Sequence, residues 1–122
     1  MNETVIFSAN TSWYLFNFRS STIKALKAQG YLVICISPED DYSNRLTDVL
    51  GCIWEPILLD NNGSNPLRDL GFMWQLVKIY NKYKPVAVFN FTIKNNIYGT
   101  WAAKLTGVNA VNNVSGLGTA FI

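Results

Sequence analysis

The chain reads as an α/β protein, a Rossmann-like doubly wound parallel sheet of about five strands in order 3-2-1-4-5, sandwiched as three layers, α/β/α. Three observations predict it. Short apolar, β-branched runs at residues 4–7, 31–36, 52–59, 86–89 and 108–114 alternate with stretches of helical period, the pattern of repeated βαβ units. The run 31–36 is apolar at every position, as a strand covered on both faces requires. Finally, Gly30, Gly51, Pro85 and Gly107 stand where helices should stop. Right-handed crossovers leave few arrangements for such a chain, and the order 3-2-1-4-5 puts the switch point between strands 1 and 4.

In order, residues 4–7 form the first strand and 8–17 a polar and aromatic loop. A helix then runs to about Gln29, with Phe16, Ile23 and Leu26 on one face and Lys24 and Lys27 on another. The strand at 31–36 is the strongest and central. The turn 37–41 carries Glu39, Asp40 and Asp41, acids suited to the start of a helix near 42–50. Glu55 and Pro56 weaken the strand at 52–59 and assign it to an edge. A surface loop spans 60–66, and Asn65 followed by Pro66 is a cap and first helical residue. The helix to about Tyr83 shows two apolar rows, Leu67, Leu70, Trp74, Val77 and Phe72, Leu76, Ile79, Tyr83. A helix resting on one sheet needs one such row, so the surplus awaits a neighbouring helix, a further domain or a membrane surface. A fourth strand, a helix over about 96–106 with Ile97, Trp101 and Leu105 four residues apart, and a short fifth strand complete the pattern.

The 122 residues suffice for one domain, and 49% apolar content allows a real core. A net charge of +2, with basic residues scattered, offers no track for a nucleic-acid backbone. Histidine is absent, which removes Ser-His-Asp and Cys-His catalysis and most zinc sites. Cys35 and Cys52 lack CxxC spacing and read as two buried thiols of a cytosolic protein. The N-terminus carries no signal-peptide pattern, and no apolar run approaches the ~20 residues of a membrane helix. The sequons at Asn2, Asn10, Asn62, Asn90 and Asn113 read as a consequence of abundant asparagine.

The chemistry concentrates where strand 4 gives way to helix 4. After the apolar run 86–89, the chain turns polar through Asn90, Thr92, Lys94, Asn95 and Asn96. In a parallel sheet such a loop lies at the carboxyl edge, where ligands bind, and a helix start offers N–H groups and a positive dipole end to an anion. The plainer reading is that Asn95 or Asn96 caps the helix and Lys94 is solvated. The loops 8–17 and 90–96 should face each other across one crevice, with the tail 113–118 beside the second. A dinucleotide fingerprint after strand 1 is absent, and Ser8-Ala-Asn10 lacks the acids of a receiver-type pocket.

These residues resemble the N-terminal half of a family 4 glycosyltransferase of the two-domain GT-B architecture, of the kind that builds bacterial polysaccharides and lipid-linked glycans. Phe89 to Gly99, with its Thr-Ile-Lys followed by Asn-Ile-Tyr-Gly, and residues 102–107 are similar to the family's strand–loop–helix. Residues 115–121 resemble its Gly-Leu-Gly-x-Ala-Phe segment, and Phe18-Arg19 with residues 23–26 and Gly30-Tyr31 resemble its first helix. The chain departs from the family at 9–12, where many members have a Gly-Gly turn, and lacks the histidines that others carry. Those histidine roles do not transfer.

The resemblance implies that residues 1–122 form one acceptor-side domain, that a C-terminal donor-binding domain is absent, and that this piece alone is inactive. It implies a retaining hexosyltransferase that moves a sugar from a nucleotide-sugar donor to a glycan on a polyprenyl-diphosphate lipid. That reaction serves capsule, O-antigen or exopolysaccharide synthesis, in the cytoplasm or at the inner face of the bacterial membrane. No metal or cofactor is expected, since the nucleotide sugar enters as substrate. The substrate-binding candidates are Asn10, Thr11, Ser12, Arg19, Thr92, Lys94, Asn95, Ser115, Gly116 and Gly118. Lys94 comes first, as a point charge for a diphosphate. Arg19 forks to a phosphate or pairs with an acid. Asn10, Thr11 and Ser12 bind a ligand or make a turn, and Gly116 and Gly118 admit a ligand or turn the chain. Trp13 and Tyr14, near Phe16 and Phe18, either touch membrane or sugar or plug the core. The alternatives are half of a GT-B-type nucleotide-sugar epimerase and a free-standing nucleotide-binding or signalling module.

Overall fold

The computed structural model describes residues 3–59 and 65–113. Strands and helices alternate through β1 (Thr4–Ser8), α1 (Ser12–Ala28), β2 (Leu32–Ser37), α2 (Ser43–Asp48), β3 (Ile53–Pro56), α3 (Pro66–Tyr83), β4 (Ala87–Phe91), α4 (Ile93–Thr106) and β5 (Ala110–Asn113). The five strands form one sheet in the order β3-β2-β1-β4-β5, all pairs parallel, as the alternation predicts.

β1 sits in the middle between β2 and β4, and period-2 alternation sends the side chains of these strands to two cores. Val5, Phe7, Val33 and Cys35 pack with Leu15 and Ile23 of α1 and Leu46 of α2. Ile6, Ile34, Ile36 and Val88 pack with Phe72, Leu76 and Tyr80 of α3 and Ala102 and Ala103 of α4. The sheet thus has α1 and α2 on one face and α3 and α4 on the other. Cys35 and Cys52 are buried free thiols in the first core. A shared hydrogen bond, chiefly, raises the pKa of Cys35 and lowers that of Cys52.

Several boundaries differ from expectation. The loop predicted at 8–17 ends at Thr11, because Thr11 is extended and its hydroxyl accepts the Tyr14 N–H at 3.0 Å, starting α1 at Ser12. Aromatic residues with modest helix propensity had disguised that first turn. α4 begins at Ile93 instead of about 96. The row Ile97, Trp101, Leu105 that suggested the later start is exposed, and the sheet-facing side is Asn95, Gly99, Ala102 and Ala103. β4 accordingly extends to Phe91 and carries Asn90 inside the sheet. Asn90 donates to Asn112 Oδ1 (3.1 Å), and Asn112 donates to Thr100 Oγ1 (2.6 Å). Gly99 makes room for this: a Cβ there would stand 2.5–2.7 Å from the Asn90 amide atoms.

β3 is a short edge strand, as Glu55 and Pro56 suggested, and Glu55 accepts from Lys82 (3.1 Å) and from the Tyr83 hydroxyl. Asn65 caps α3, accepting the Leu67 N–H at 3.0 Å, with Pro66 as first helical residue. Of the two apolar rows of α3, Phe72 and Leu76 are buried with Tyr80, whereas in the other row Leu67, Leu70 and Trp74 face outward and Val77 is buried. The expected loop segment 60–64 and the candidates Ser115, Gly116 and Gly118 lie outside the described residues.

Candidate functional site

The carboxyl ends of β1 and β4 meet at the switch point, where Ser8 is in register with Asn90. Asn95, fully buried in the first turn of α4, donates from Nδ2 to Ser8 Oγ at 2.6 Å, and its Oδ1 accepts from the Thr92 hydroxyl at 3.1 Å. The chain Thr92–Asn95–Ser8 ties the start of α4 to the end of β1. The bends after strands 1 and 4 therefore share one edge of the molecule, as the strand order requires. The rim is polar: Asn10, Thr11 and Thr92 are all half-buried.

The two helix starts at this edge are finished differently. At α1, Thr11 caps the Tyr14 amide, and the Asp40 carboxylate accepts the Trp13 N–H at 2.9 Å while holding the Tyr42 N–H at 2.7 Å. Ser12 is fully buried. Its hydroxyl bonds Ser37 Oγ (2.7 Å) and Ser43 Oγ (2.8 Å) and lies 3.0 Å from the Pro38 carbonyl. Ser12 therefore links α1 to the β2–α2 connection, with its hydroxyl bonded inside the fold. An anion is already built into this start.

At α4, Thr92 holds the cap position, yet its side chain makes no capping bond to the first-turn amides. Neither Asn95 nor Asn96 is the cap. Thr92 has φ 76 and ψ 156, a backbone region almost reserved for glycine. A β-branched residue there costs about 1–3 kcal/mol, and the hydrogen bonds through Asn95 help to hold it. Strain of this kind collects where a backbone must present something in a fixed direction.

Lys94 is not a solvated cation: its Nζ lies 3.0 Å from Asp69 Oδ1, in a pair whose side chains are 20% and 10% exposed. Asp69 also accepts the Tyr98 hydroxyl at 3.0 Å, which together with burial, the larger cause, raises the Tyr98 pKa. Lys94 thus stands at the rim on the α3 side. Among the described contacts Arg19 pairs with no acid and rests instead on two aromatic rings. Its guanidinium carbon lies 4.5 Å from the Phe91 ring centroid and 5.4 Å from that of Tyr14, and Nη2 donates to the Tyr14 hydroxyl at 2.8 Å. The stack supplies cation–π attraction and holds the planar cation beside the end of β4.

Tyr14 and Phe16 pack against the first core, while Trp13 and Phe18 stay exposed in edge-to-face contact at 5.3 Å. Sequence reasoning missed Ser8, Asp69 and Phe91, and it placed Asp40 at the start of α2 without its second role at α1. Asp69 was within reach of it, since an acid one turn past a cap on an apolar helix asks for a cation. Ser8 and Phe91 had no such signal. Among the described residues, no group of three or more His, Cys, Asp or Glu converges on a common point, and no helix is long and apolar enough to cross a membrane.

Comparisons with known proteins bear on what this edge serves. No curated protein sequence matches the chain. A glycosyltransferase from Rickettsia africae is similar in structure, with TM-score 0.74 at 18% identity over 91% of this chain and 29% of that one. MurG from Acinetobacter baumannii is similar too, with TM-score 0.74 at 20% identity over 98% of this chain and 38% of that one. So is the UDP-GlcNAc 2-epimerase of Neisseria meningitidis, with TM-score 0.66 at 10% identity over 89% and 31%. At such identities these likenesses show the fold, and the chain spans about a third of each relative's length. The profile of the family described as "Glycosyl transferase 4-like" matches residues 4–122. The chain therefore belongs to the glycosyl transferase 4-like family.

Proposed function

We propose that this chain is the acceptor-binding domain of a retaining glycosyltransferase that moves a sugar from a nucleotide-sugar donor to a glycan, carried on a polyprenyl diphosphate, in bacterial polysaccharide synthesis. Family membership supports the transferase class, and coverage of about a third of each relative agrees with a domain of a larger enzyme. In this reading a second domain brings the donor, the enzyme works in the cytoplasm at the inner face of the membrane, and no metal takes part. The observation that carries the siting is the 2.6 Å bond from Asn95 to Ser8, which joins the two bends at the switch point.

On that rim Asn10, Thr11 and Thr92 supply hydrogen-bonding groups for sugar hydroxyls. The open start of α4 faces a diphosphate with N–H groups and dipole. Lys94, steadied by Asp69, adds a point charge beside it, and Arg19 supplies a planar cation with N–H groups beyond its single bond to Tyr14. Asn95 is a positioning residue that acts through Thr92 and Ser8. The epimerase reading has only the shared fold behind it.

Lys94→Ala in the complete enzyme is the test. The expected result is loss of most transfer activity, at saturating donor, with a rise in KM for the acceptor. Loss of the partly buried pair should also cost about 1–3 kcal/mol of stability. Asp69→Asn, which weakens the pair yet keeps the cation, should retain acceptor binding. Unchanged kinetics in Lys94→Ala would remove Lys94 from the site.

A further inference from the structure

Two nucleophiles lie outside the candidate site, the free thiols of Cys35 and Cys52. The fold sets them together. β2 and β3 run parallel with Cys35 opposite Trp54, and Cys52 stands just before β3, two residues from Trp54. Period 2 therefore puts both cysteines on the face covered by α1 and α2, and both belong to that core. The thiols lie within reach of a shared hydrogen bond. Closing a disulfide asks for Cα atoms within about 7 Å. Cys52 can adjust to that demand: its amide bonds the Leu46 carbonyl at 3.0 Å instead of the ladder, and the strand that follows is a short edge strand.

The two thiols differ in surroundings. Cys35 is fully buried, whereas Cys52 is 5% exposed and lies between two exposed residues, Gly51 and Ile53. Lys27, in the last turn of α1, reaches across to the Gly51 carbonyl with Nζ at 2.8 Å, so an ammonium is fixed beside Cys52. Gly51 leaves room for it: a Cβ there would stand 3.2 Å from Lys27 Nζ. The hydrogen bond with Cys35, chiefly, and the Lys27 charge lower the Cys52 pKa against the effect of burial, while the same bond and burial raise that of Cys35. An electropositive thiol just below the surface, with a second and more firmly protonated thiol beside it, has the parts of an attacking and a resolving cysteine.

We propose that Cys52 is a site of oxidation by hydrogen peroxide, resolved by Cys35 into an internal disulfide that fastens the edge strand β3 to β2. The Cys52 thiolate attacks one peroxide oxygen, the O–O bond breaks, and hydroxide leaves with the proton that the thiol had released, as water. Cys52 is then a sulfenic acid. The Cys35 sulfur attacks the Cys52 sulfur, the S–O bond breaks, and the departing hydroxide takes the Cys35 proton as a second water. Two electrons pass from the two thiols to the peroxide, whose small size suits a thiol so little exposed. Cys52 and Lys27 lie toward the amino edge of the sheet, so the disulfide would form away from the candidate site at the carboxyl edge. The pair stands on its own geometry and not on the sugar-transfer reading, and its test needs no sugar.

The test is to expose the full chain to hydrogen peroxide and follow its intact mass and its non-reducing peptide map. The expected product is lighter by about 2 Da, carries Cys35 and Cys52 in one cross-linked peptide, and regains both thiols with dithiothreitol. Cys35→Ala should halt the reaction at the Cys52 sulfenic acid, trapped by dimedone. Lys27→Gln should slow disulfide formation about fivefold or more. That variant removes a charge without opening the core, so it keeps the test valid if Cys35→Ala misfolds. Oxidation at methionine with both thiols left intact, a disulfide between two chains in place of the internal one, or an unchanged rate in Lys27→Gln would each overturn the proposal.

Discussion

The two faces of the sheet solve the same packing problem differently. The α1/α2 layer buries Leu15, Ile23 and Leu46, leaves Trp13 and Phe18 outside only at the start of α1, and closes its connections with polar bonds. Ser12 joins Ser37 and Ser43, the Trp54 indole N–H bonds Ser37, and Asp40 bridges the starts of α1 and α2. The α3/α4 layer buries one apolar row against the sheet and keeps a second row outside. Apolar residues are inside where a core needs them, but an exposed contiguous row at helical spacing is surplus to folding. The lesson is that periodicity alone does not say which of two rows a helix buries. The rows must be weighed by what removing each would cost.

The largest expected effect separates the two rows of α3 itself. Leu76→Ala opens a cavity among Phe72, Tyr80 and the sheet, and should cost about 2–5 kcal/mol. Leu67→Ala, on the same helix, should stay within about 0.5 kcal/mol. Urea unfolding of both variants checks this, and a large cost for Leu67→Ala would mean that its row already has a partner within the chain.

The next contrast is between helix starts. Thr11→Ala removes the α1 cap and should cost about 1 kcal/mol in denaturant melts. Thr92→Gly removes no cap bond and releases a positive φ, so the midpoint should hold or rise. A cost at Thr92 equal to that at Thr11 would show that its bond to Asn95 outweighs the backbone strain.

The smallest effect is on pH. Tyr80, Tyr83 and Tyr98, all in the α3/α4 layer, have pKa values raised above 10.0, chiefly by burial, and Lys82 is raised above 10.5 chiefly by Glu55. In each case the folded state holds its proton after the unfolded chain has released it. The contribution is full below the ordinary value and is lost as pH climbs past it through the folded value. Thermal melts should therefore fall as pH rises through 10, and stay flat between about 6 and 8, where no histidine titrates. A fall already near neutrality would contradict this.

Much of the fold was legible because strands buried on both faces announce themselves, as residues 31–36 do, and because crossover handedness restricts the order. The edge position of β3 followed from Glu55 and Pro56, and the α3 start from Asn65 and Pro66. The site was legible only in outline. Asn90, Thr92 and Asn95 stood out as polar residues after an apolar run, but the partner of Asn95 is Ser8, 87 residues away, and a lone serine at a strand end carries no signal. The Lys94–Asp69 pair was half legible, since an acid on an apolar helix asks for a cation, but which cation answers is decided by the packing of two helices. Arg19 looked like a seeker of phosphate or acid, and what holds it is two aromatic faces, one of them Phe91, which reading strand 4 to end at residue 89 had left outside the strand.

The most direct test of the central reading is to titrate the isotope-labelled chain with a short-chain prenyl-diphosphate sugar and follow its backbone amides by NMR. Shifts concentrated at residues 9–12 and 91–96, weakened in Lys94→Ala, are the predicted result. Shifts confined to β3 and α2, with the β1 and β4 ends silent, would contradict it.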